Sequence, residues 1–344
     1  MLPGTTAGSP VPLLSILIPV YNVSEFLEPC LDSILAQIPD DRVEVRIVDD
    51  ASNDGSRELL AKIAQNPGNR VSVHFRDTNG GIGVARNDLL THAKGKYFWF
   101  IDPDDILLPD GLNSMIEVLE THSPDMLIFD YQKKGRLVPG FLGSEERLID
   151  DRDALVRGIF ASRMLHAWLR ITHRRLWEQG LSFPAIRTFE DVATTPILAL
   201  RANNFYYRPL PVIEYRFRRG SLLESVRGGR FDKKKHDDFL VALSSLKSEI
   251  ENHLPDIGNR TRFVVAHFIT REFTKICHRV IRSSFKRPDL RPIRFHMRHY
   301  RTELERLTLV PFRVMPGLYW KHGMLVQSFL VRYYEIWTRG AGKL

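Results

Sequence analysis

The feature that most constrains this chain is a regular alternation of short apolar runs and helix-period stretches across its first hundred residues. LLSILIPV (Leu13–Val20), VEVRIVDD (Val43–Asp50), VSVHF (Val71–Phe75) and KYFWFID (Lys96–Asp102) are short and rich in β-branched and aromatic residues. Such runs read as buried parallel strands. Between them, Ser24–Gln37 places Phe26, Leu27, Leu31, Ile34 and Leu35 at helical spacing, with Ser24 expected as its N-cap. GSRELLAKIAQN and GGIGVARNDLLTHA supply two further helices. This alternation predicts an α/β fold, a parallel sheet with helices on both faces. Open sheets of this kind bind ligands beyond the carboxyl ends of their strands. Val20-Tyr21-Asn22, Asp49-Asp50 and Asp102-Pro103-Asp104-Asp105 all fall at those ends.

The last of these tips raises an electrostatic question. In YFWFIDPDDILLPDGL an apolar strand runs straight into three carboxylates, Asp102, Asp104 and Asp105. Like charges this close repel, and desolvation adds to the cost, so a positive charge is expected beside them. A hard divalent cation, magnesium or manganese, takes such oxygen ligands together with phosphate oxygens. The alternative is a turn whose aspartates cap the next helix; Asp110, directly before GLNSMIEVLE, suits that role better. NGGIGVARN also invites comparison with a dinucleotide fingerprint. Its third glycine position is Arg86, a long cation that would obstruct close approach to a pyrophosphate and would reach toward phosphate as a charged donor.

From Asp151 to Leu222 short helices and strands mix. TFEDVATTPILALRAN reads as a loop entering a helix, and the proline-broken FYYRPLPVIEYRFR as edge strands. After Arg227-Gly228-Gly229 the chain becomes basic and mostly helical. The expected organisation is a Gly/Pro/Ser/Thr-rich tail over 1–12, an α/β domain over 13–226 and a helical region over 227–344.

The net charge is +8, yet Thr261–Leu344 alone carries 17 lysines and arginines against 5 acids. The mildly acidic remainder thus bears a strongly basic C-terminal part, which suggests an anionic partner, membrane lipid or nucleic acid. Two distant cysteines, Cys30 and Cys277, argue against a disulfide framework or thiolate zinc site and for a reducing compartment. The start of the chain lacks the pattern of a signal peptide, and no apolar run is long enough to span a bilayer.

Taken together, the segments resemble the family two glycosyltransferases, whose fold is GT-A. SILIPVYNVSEFLEPCLDSILAQ, RIVDDASNDGS, RDTNGGIGVARNDLLTHAKGKYFWFIDPDDILLPDGL and TFEDVA match the family's motifs in order, over roughly Leu13–Ser221. The resemblance implies that Pro19, Tyr21 and Asp50 line the base pocket, with Asp50 accepting from a uracil-type ring N–H. It implies that Asp102 binds ribose hydroxyls and that Asp104 ligates a divalent metal, Mn2+ or Mg2+, on the diphosphate. Arg86 would add positive charge near ribose or phosphate, and Asp105 would orient Asp104 or meet the sugar.

Asp191 would be the base that deprotonates the acceptor hydroxyl, with Glu190 in reserve; its alternative is a helix N-terminal acid serving the dipole. In WLRITHR, Trp168 and Arg170 stand where relatives carry acceptor-contacting residues, with a threonine in place of a tyrosine. Arg218 or Ser221 in YRFRRGS would lie near the diphosphate, or Arg218 would be a solvated strand charge. The processive Gln-x-x-Arg-Trp motif is absent.

The implied activity is inverting transfer of one sugar from a nucleotide-sugar, a UDP-sugar first, to a glycan acceptor. That acceptor would be lipid-linked and built for the cell surface, and the enzyme cytoplasmic, on the inner membrane face. Rivals are a nucleotidyltransferase, which usually has a basic Gly-rich loop where PVYN stands, an inactive nucleotide-binding scaffold, and a nucleic-acid binder. No nucleic-acid reader motif is present, and none is expected as partner.

Within the basic part, Phe263–Phe285 reads as an amphipathic helix. Val265, Ile269, Phe273, Ile276 and Val280 share one face, and Arg271, Lys275, Arg279 and Arg282 another. FRVMPGLYWKHGMLVQSFLVRYYEIW mixes aromatics and cations in a way that suits the edge of an anionic membrane. The alternative is a helical cap packed on the catalytic domain. Oligomeric state is left open.

Overall fold

The computed structural model describes residues 11–65, 71–143, 146–178, 180–218, 231–284 and 290–339. Most of the N-terminal tail, Ser221, the 227–229 boundary and Phe285 lie outside the described residues. The chain forms two compact units, each discontinuous in sequence. The first comprises Met1–Val138, Ala167–Ala185 and Arg208–Arg216; the second comprises Pro139–His166, Ile186–Tyr207 and Phe217–Leu344.

The first unit is built on a sheet. Its strands are β1 (Leu14–Val20), β2 (Val43–Asp49), β3 (Val71–Phe75), β4 (Tyr97–Phe100), β5 (Ile106–Leu107), β6 (Met126–Lys133), β7 (Arg136–Val138), β9 (Arg170–His173) and, from Arg208 on, β10 (Phe205–Tyr215), with β8 (Leu148–Ile149) and the first three residues of β10 falling in the second unit. The order is β3-β2-β1-β4-β9-β6-β10-β5, with β7 on β6. β3, β2, β1 and β4 run parallel, in the registers Val45↔Val71, Leu14↔Val43 and Leu14↔Tyr97. β9 then pairs antiparallel with β4 and β6. Every residue of β1 and β4 is buried, as continuous apolar composition requires of a strand covered on both faces. β3 is an edge strand and alternates between half-buried and exposed. The four parallel strands therefore end on one side at Val20, Asp49, Phe75 and Phe100.

Three local expectations are corrected. The first helix, Ser24–Leu35, does begin at Ser24, but Ser24 is not its cap. Its first amides are satisfied by the 52–56 turn. Ser56 Oγ accepts from Val23 N at 3.0 Å, and Asp54 Oδ2 from Ser24 N at 2.9 Å. Asp110 holds the N-cap position of Gly111–His122 in a left-handed conformation, yet its side chain makes no cap bond. The acceptor there is Gln37 Oε1, 3.2 Å from Leu112 N. Finally, Phe205–Tyr215 is one strand lying between β6 and β5, not a pair of edge strands. Its prolines, Pro209 and Pro211, fall between two short pairings, Phe205–Tyr206 with β8 and Ile213–Glu214 with β5.

The second unit is mainly helical: Arg152–Ser162, Glu190–Arg201, Lys233–Leu243, Leu246–His253, Asn259–Ser284, Leu290–Leu307, Met315–Lys321 and Leu325–Arg339. Val265, Ile269, Phe273, Ile276 and Val280 are all buried in Asn259–Ser284, so the apolar face of that helix packs within the unit. Polar side chains join segments distant in sequence. Asp153 accepts from Gly258 N at 2.8 Å and Thr261 Oγ1 at 2.7 Å, while Arg152 donates to the Ala202 and His253 carbonyls.

Candidate functional site

At the carboxyl ends of the parallel strands the turns are held together by side chains. Asn22, at φ 49°, donates its amide to Ser52 Oγ at 3.1 Å and accepts from Asn53 N at 2.9 Å through its own Oδ1. This fixes the 20–24 turn against the 50–56 turn. Pro19 is buried in β1, whereas Tyr21, one residue past the strand, is 46% exposed.

Asp50 follows β2 and is almost fully buried. Its Oδ1 accepts from Gly80 N at 2.9 Å and its Oδ2 from Gly81 N at 2.8 Å. Arg76 Nε lies 2.8 Å from Oδ1, and Arg76 also pairs with Asp88. Asp50 thus shapes the glycine loop. Gly81 takes φ +87°, a conformation open to glycine. Gly83 is needed for a different reason: a Cβ there would lie 2.6 Å from the Pro184 carbonyl oxygen.

The loop leads into the helix Ile82–His92, which carries Arg86. Arg86 does not reach outward. Its side chain is 1% exposed, its guanidinium sits 5.7 Å and 5.3 Å from the Phe100 and Phe183 ring centroids, and its Nη2 is 3.1 Å from Asp102 Oδ1. Burial against two aromatic faces and a charge-assisted bond to Asp102 hold it inside. Asp50 thus holds the loop from which the helix carrying Arg86 starts, and Arg86 in turn holds Asp102.

Asp102, Asp104 and Asp105 each bring a carboxylate oxygen within 4.8 Å of the others. Asp105 is fully buried. Its Oδ1 accepts from Arg216 N at 2.9 Å, and its Oδ2 has no hydrogen-bond partner. Burial, then the neighbouring Asp102 and Asp104, push its carboxyl well above the ordinary range, against the opposing effect of Arg216. Arg216 also donates to the Asp104 carbonyl at 2.6 Å and the Phe26 carbonyl at 2.9 Å, and lies over the Phe26 ring. The positive charge expected beside this turn is in part already present, as Arg86 and Arg216. The sequence reading weighed Arg218, which is half-buried near the start of the last segment of the second unit. It missed Arg216, 111 residues from its partner, and Arg76.

Three sheet-side aromatics surround Trp168. It is 4% exposed, stacks on Tyr215 at 6.2 Å, meets Tyr131 edge-on at 5.0 Å, and its carbonyl accepts from Trp99 Nε1. Arg170, in β9, is also buried. Glu190 and Asp191 lie in the second unit, in the first turn of Glu190–Arg201. Glu190 is buried and Asp191 half-buried. Of the candidate residues in the first unit, Pro19 and Tyr21 lie at the end of β1, Asp50 just past β2, and Asp102, Asp104 and Asp105 just past β4, with Arg86 tied to Asp102.

Residues 15–149 match the family model described as glycosyl transferase family 2. The putative teichuronic acid biosynthesis glycosyltransferase TuaG of Bacillus subtilis is 30% identical over 214 residues, which cover 61% of this chain and 81% of TuaG. Glycosyltransferase GlyA of Streptococcus pneumoniae is 26% identical over 220 residues, covering 61% of this chain but only 31% of GlyA. Among solved structures, S. aureus TarS 1–349 in complex with UDP-GlcNAc superposes with a TM-score of 0.69 at 20% identity, covering 94% of this chain and 91% of that one. At that identity the likeness speaks for the fold.

Proposed function

The chain belongs to glycosyltransferase family 2 and is a glycosyltransferase of GT-A fold; on that premise we propose that it moves a single sugar from a UDP-sugar to a glycan acceptor, inverting the anomeric carbon. The observation that carries this reading is the cluster of Asp102, Asp104 and Asp105 carboxylates just past β4, with Asp102 held by Arg86 and Asp50 holding the glycine loop just past β2. The names of TuaG and of the UDP-GlcNAc complex of TarS support a UDP-linked donor and a cell-surface polysaccharide product.

Pro19 and Tyr21 would flank the base. A carboxylate oxygen carries two lone pairs; the bonds from Gly80, Arg76 and Gly81 leave one on Asp50 Oδ2 for a ring N–H. Asp102, oriented by Arg86, would accept from the ribose hydroxyls. The donor set around Asp104 is all hard oxygen, and the buried, partnerless Oδ2 of Asp105 is an acceptor awaiting a positive neighbour, so these residues fit Mg2+ or Mn2+. Asp104 would hold the ion, with Asp105 and Arg216 fixing the turn. When bound, a divalent cation stabilises the charge that develops on the departing diphosphate. Asp191, or Glu190 beside it, would take the proton from the acceptor hydroxyl as that oxygen bonds to the anomeric carbon and the sugar–phosphate bond breaks. Attack from the face opposite the leaving group inverts the centre.

The acceptor in this reading is lipid-linked, and the enzyme works from the cytoplasmic face of the cell membrane. No helix among the described residues is long and apolar enough to cross a membrane. Trp168, buried, would support the acceptor side through its packing, and Arg218 would lie near the diphosphate.

Asp191→Asn keeps the shape of the side chain and removes its basicity. Donor binding should persist while transfer falls by roughly a hundredfold or more. Weakened UDP-sugar binding with normal turnover would refute the assignment of the base.

A further inference from the structure

The last described helix, Leu325–Arg339, is amphipathic the wrong way round. The face turned into the protein carries Ser328, Val331, Tyr334, Glu335 and Thr338, none more than 6% exposed. The opposite face carries Leu325, Val326, Phe329, Tyr333 and Ile336, each between 39% and 72% exposed. At 100° per residue these five fall within one stripe about 100° wide. The inward polar groups are bonded internally: Ser328 Oγ donates to the Pro316 carbonyl at 2.9 Å, Thr338 Oγ1 to the Tyr334 carbonyl at 2.9 Å, and Glu335 lies 3.7 Å from Arg301. The inversion is thus a settled arrangement. Within the same helical unit, Trp320 and Phe295 are each 66% exposed, and the Arg294 guanidinium lies 5.8 Å from the ring centroid of Trp337 on this helix.

Charge decides what covers this face. From Pro311 to Arg339 the chain has four lysines and arginines and one acid, Glu335, which points inward. Arg313, Lys321, Arg332 and Arg294 are exposed. A second copy seated by a twofold axis would set this patch against itself and bring cation to cation. An anionic bilayer offers the complement on both counts: acyl chains for the aliphatic and phenyl groups, headgroup phosphates for the arginines and lysine, and an interfacial layer for Tyr333.

We propose that the outward face of Leu325–Arg339 lies in the plane of an anionic membrane surface and docks the protein there. This deepens the reading of a glycosyltransferase acting on a lipid-linked acceptor, but its evidence is the inverted helix, independent of the donor site.

The test is co-sedimentation of the full chain with vesicles of phosphatidylcholine alone and of phosphatidylcholine with phosphatidylglycerol, alongside sedimentation velocity without lipid. The expected result is binding to the anionic vesicles that weakens with salt and is far poorer on phosphatidylcholine alone. Phe329→Ser with Ile336→Ser should reduce partitioning by about tenfold or more, with the UDP titration unchanged. Both side chains are exposed, so the fold does not depend on them. Lys321→Glu with Arg332→Glu should weaken anionic binding while leaving those side chains in place. Wild-type protein that ignores both vesicle types overturns the proposal, as does a lipid-free dimer broken by Phe329→Ser and Ile336→Ser. Vesicle binding by a protein that binds no nucleotide would sink the donor reading and leave this one standing.

Discussion

Asp50 shows what a single carboxylate does here. It organises the glycine loop by accepting from two consecutive amides, and Arg76 offsets its charge. Gly83 is equally specific, because its Cα hydrogen faces the Pro184 carbonyl. Gly83→Ala forces that backbone apart. We expect a loss of about 1–3 kcal/mol in stability together with weaker UDP binding, read by denaturant titration and calorimetry; an unchanged midpoint and affinity would contradict the close contact. The candidate residues Asp50, Arg86, Asp102, Asp104 and Asp105 were legible because strand ends and motif spacing are local signals. Arg76 and Arg216 were not. An arginine has no local signature of its partner, and Arg216 reaches Asp105 only through the fold. Arg86 was legible as a residue but not in its direction, since its burial depends on Phe100 and Phe183 arriving from elsewhere in the chain.

At the scale of elements, the four parallel strands and the helices between them followed from periodicity, but the helix caps did not. The amides entering Ser24–Leu35 and Gly111–His122 are met by Ser56, Asp54 and Gln37, from other segments, so a rule that looks for a local cap selects Ser24 and Asp110 wrongly. The helix Lys233–Leu243 carries a pH-sensitive contact. His236 Nδ1 lies 2.5 Å from the Asp232 carbonyl and so donates the proton, a tautomer assigned from the network. Nε2, 3.4 Å from Arg279 Nη1, is then the acceptor. Burial, with Arg279 and Lys235 adding to it against the Asp232 bond, holds this imidazole below its ordinary range. A histidine depressed in the folded state stabilises fully above its unfolded value of about 6.5 and loses that contribution as pH falls below it. Denaturant midpoints should fall between pH 7.5 and 5.5, and the fall should be shallower in His236→Gln. Identical slopes for the two proteins would refute the role of His236.

For the whole molecule, the sequence separated a parallel-sheet part from a basic helical part. It did not show that 139–166 and 186–207 belong to the same unit as the C-terminal helices. That membership rests on bonds such as Thr261 to Asp153, 108 residues apart, and Arg152 to the His253 carbonyl, 101 apart; no windowed pattern carries such information. The charge asymmetry was legible, and so was the mixture of aromatics and cations near the end of the chain. The inverted facing of Leu325–Arg339 needed the structure, because helical periodicity identifies an apolar stripe without saying which way it turns. In the proposed function, a chain of this fold uses its carboxylate turn to bind a UDP-linked donor with a divalent cation. Calorimetric titration of UDP, with GDP and NAD as controls, in the presence and absence of manganese, on wild type and Asp104→Ala, tests it most directly. We expect UDP binding that requires manganese and is lost in Asp104→Ala; folded wild-type protein that binds no UDP, or an Asp104→Ala variant that binds it undiminished, would contradict this use of the turn.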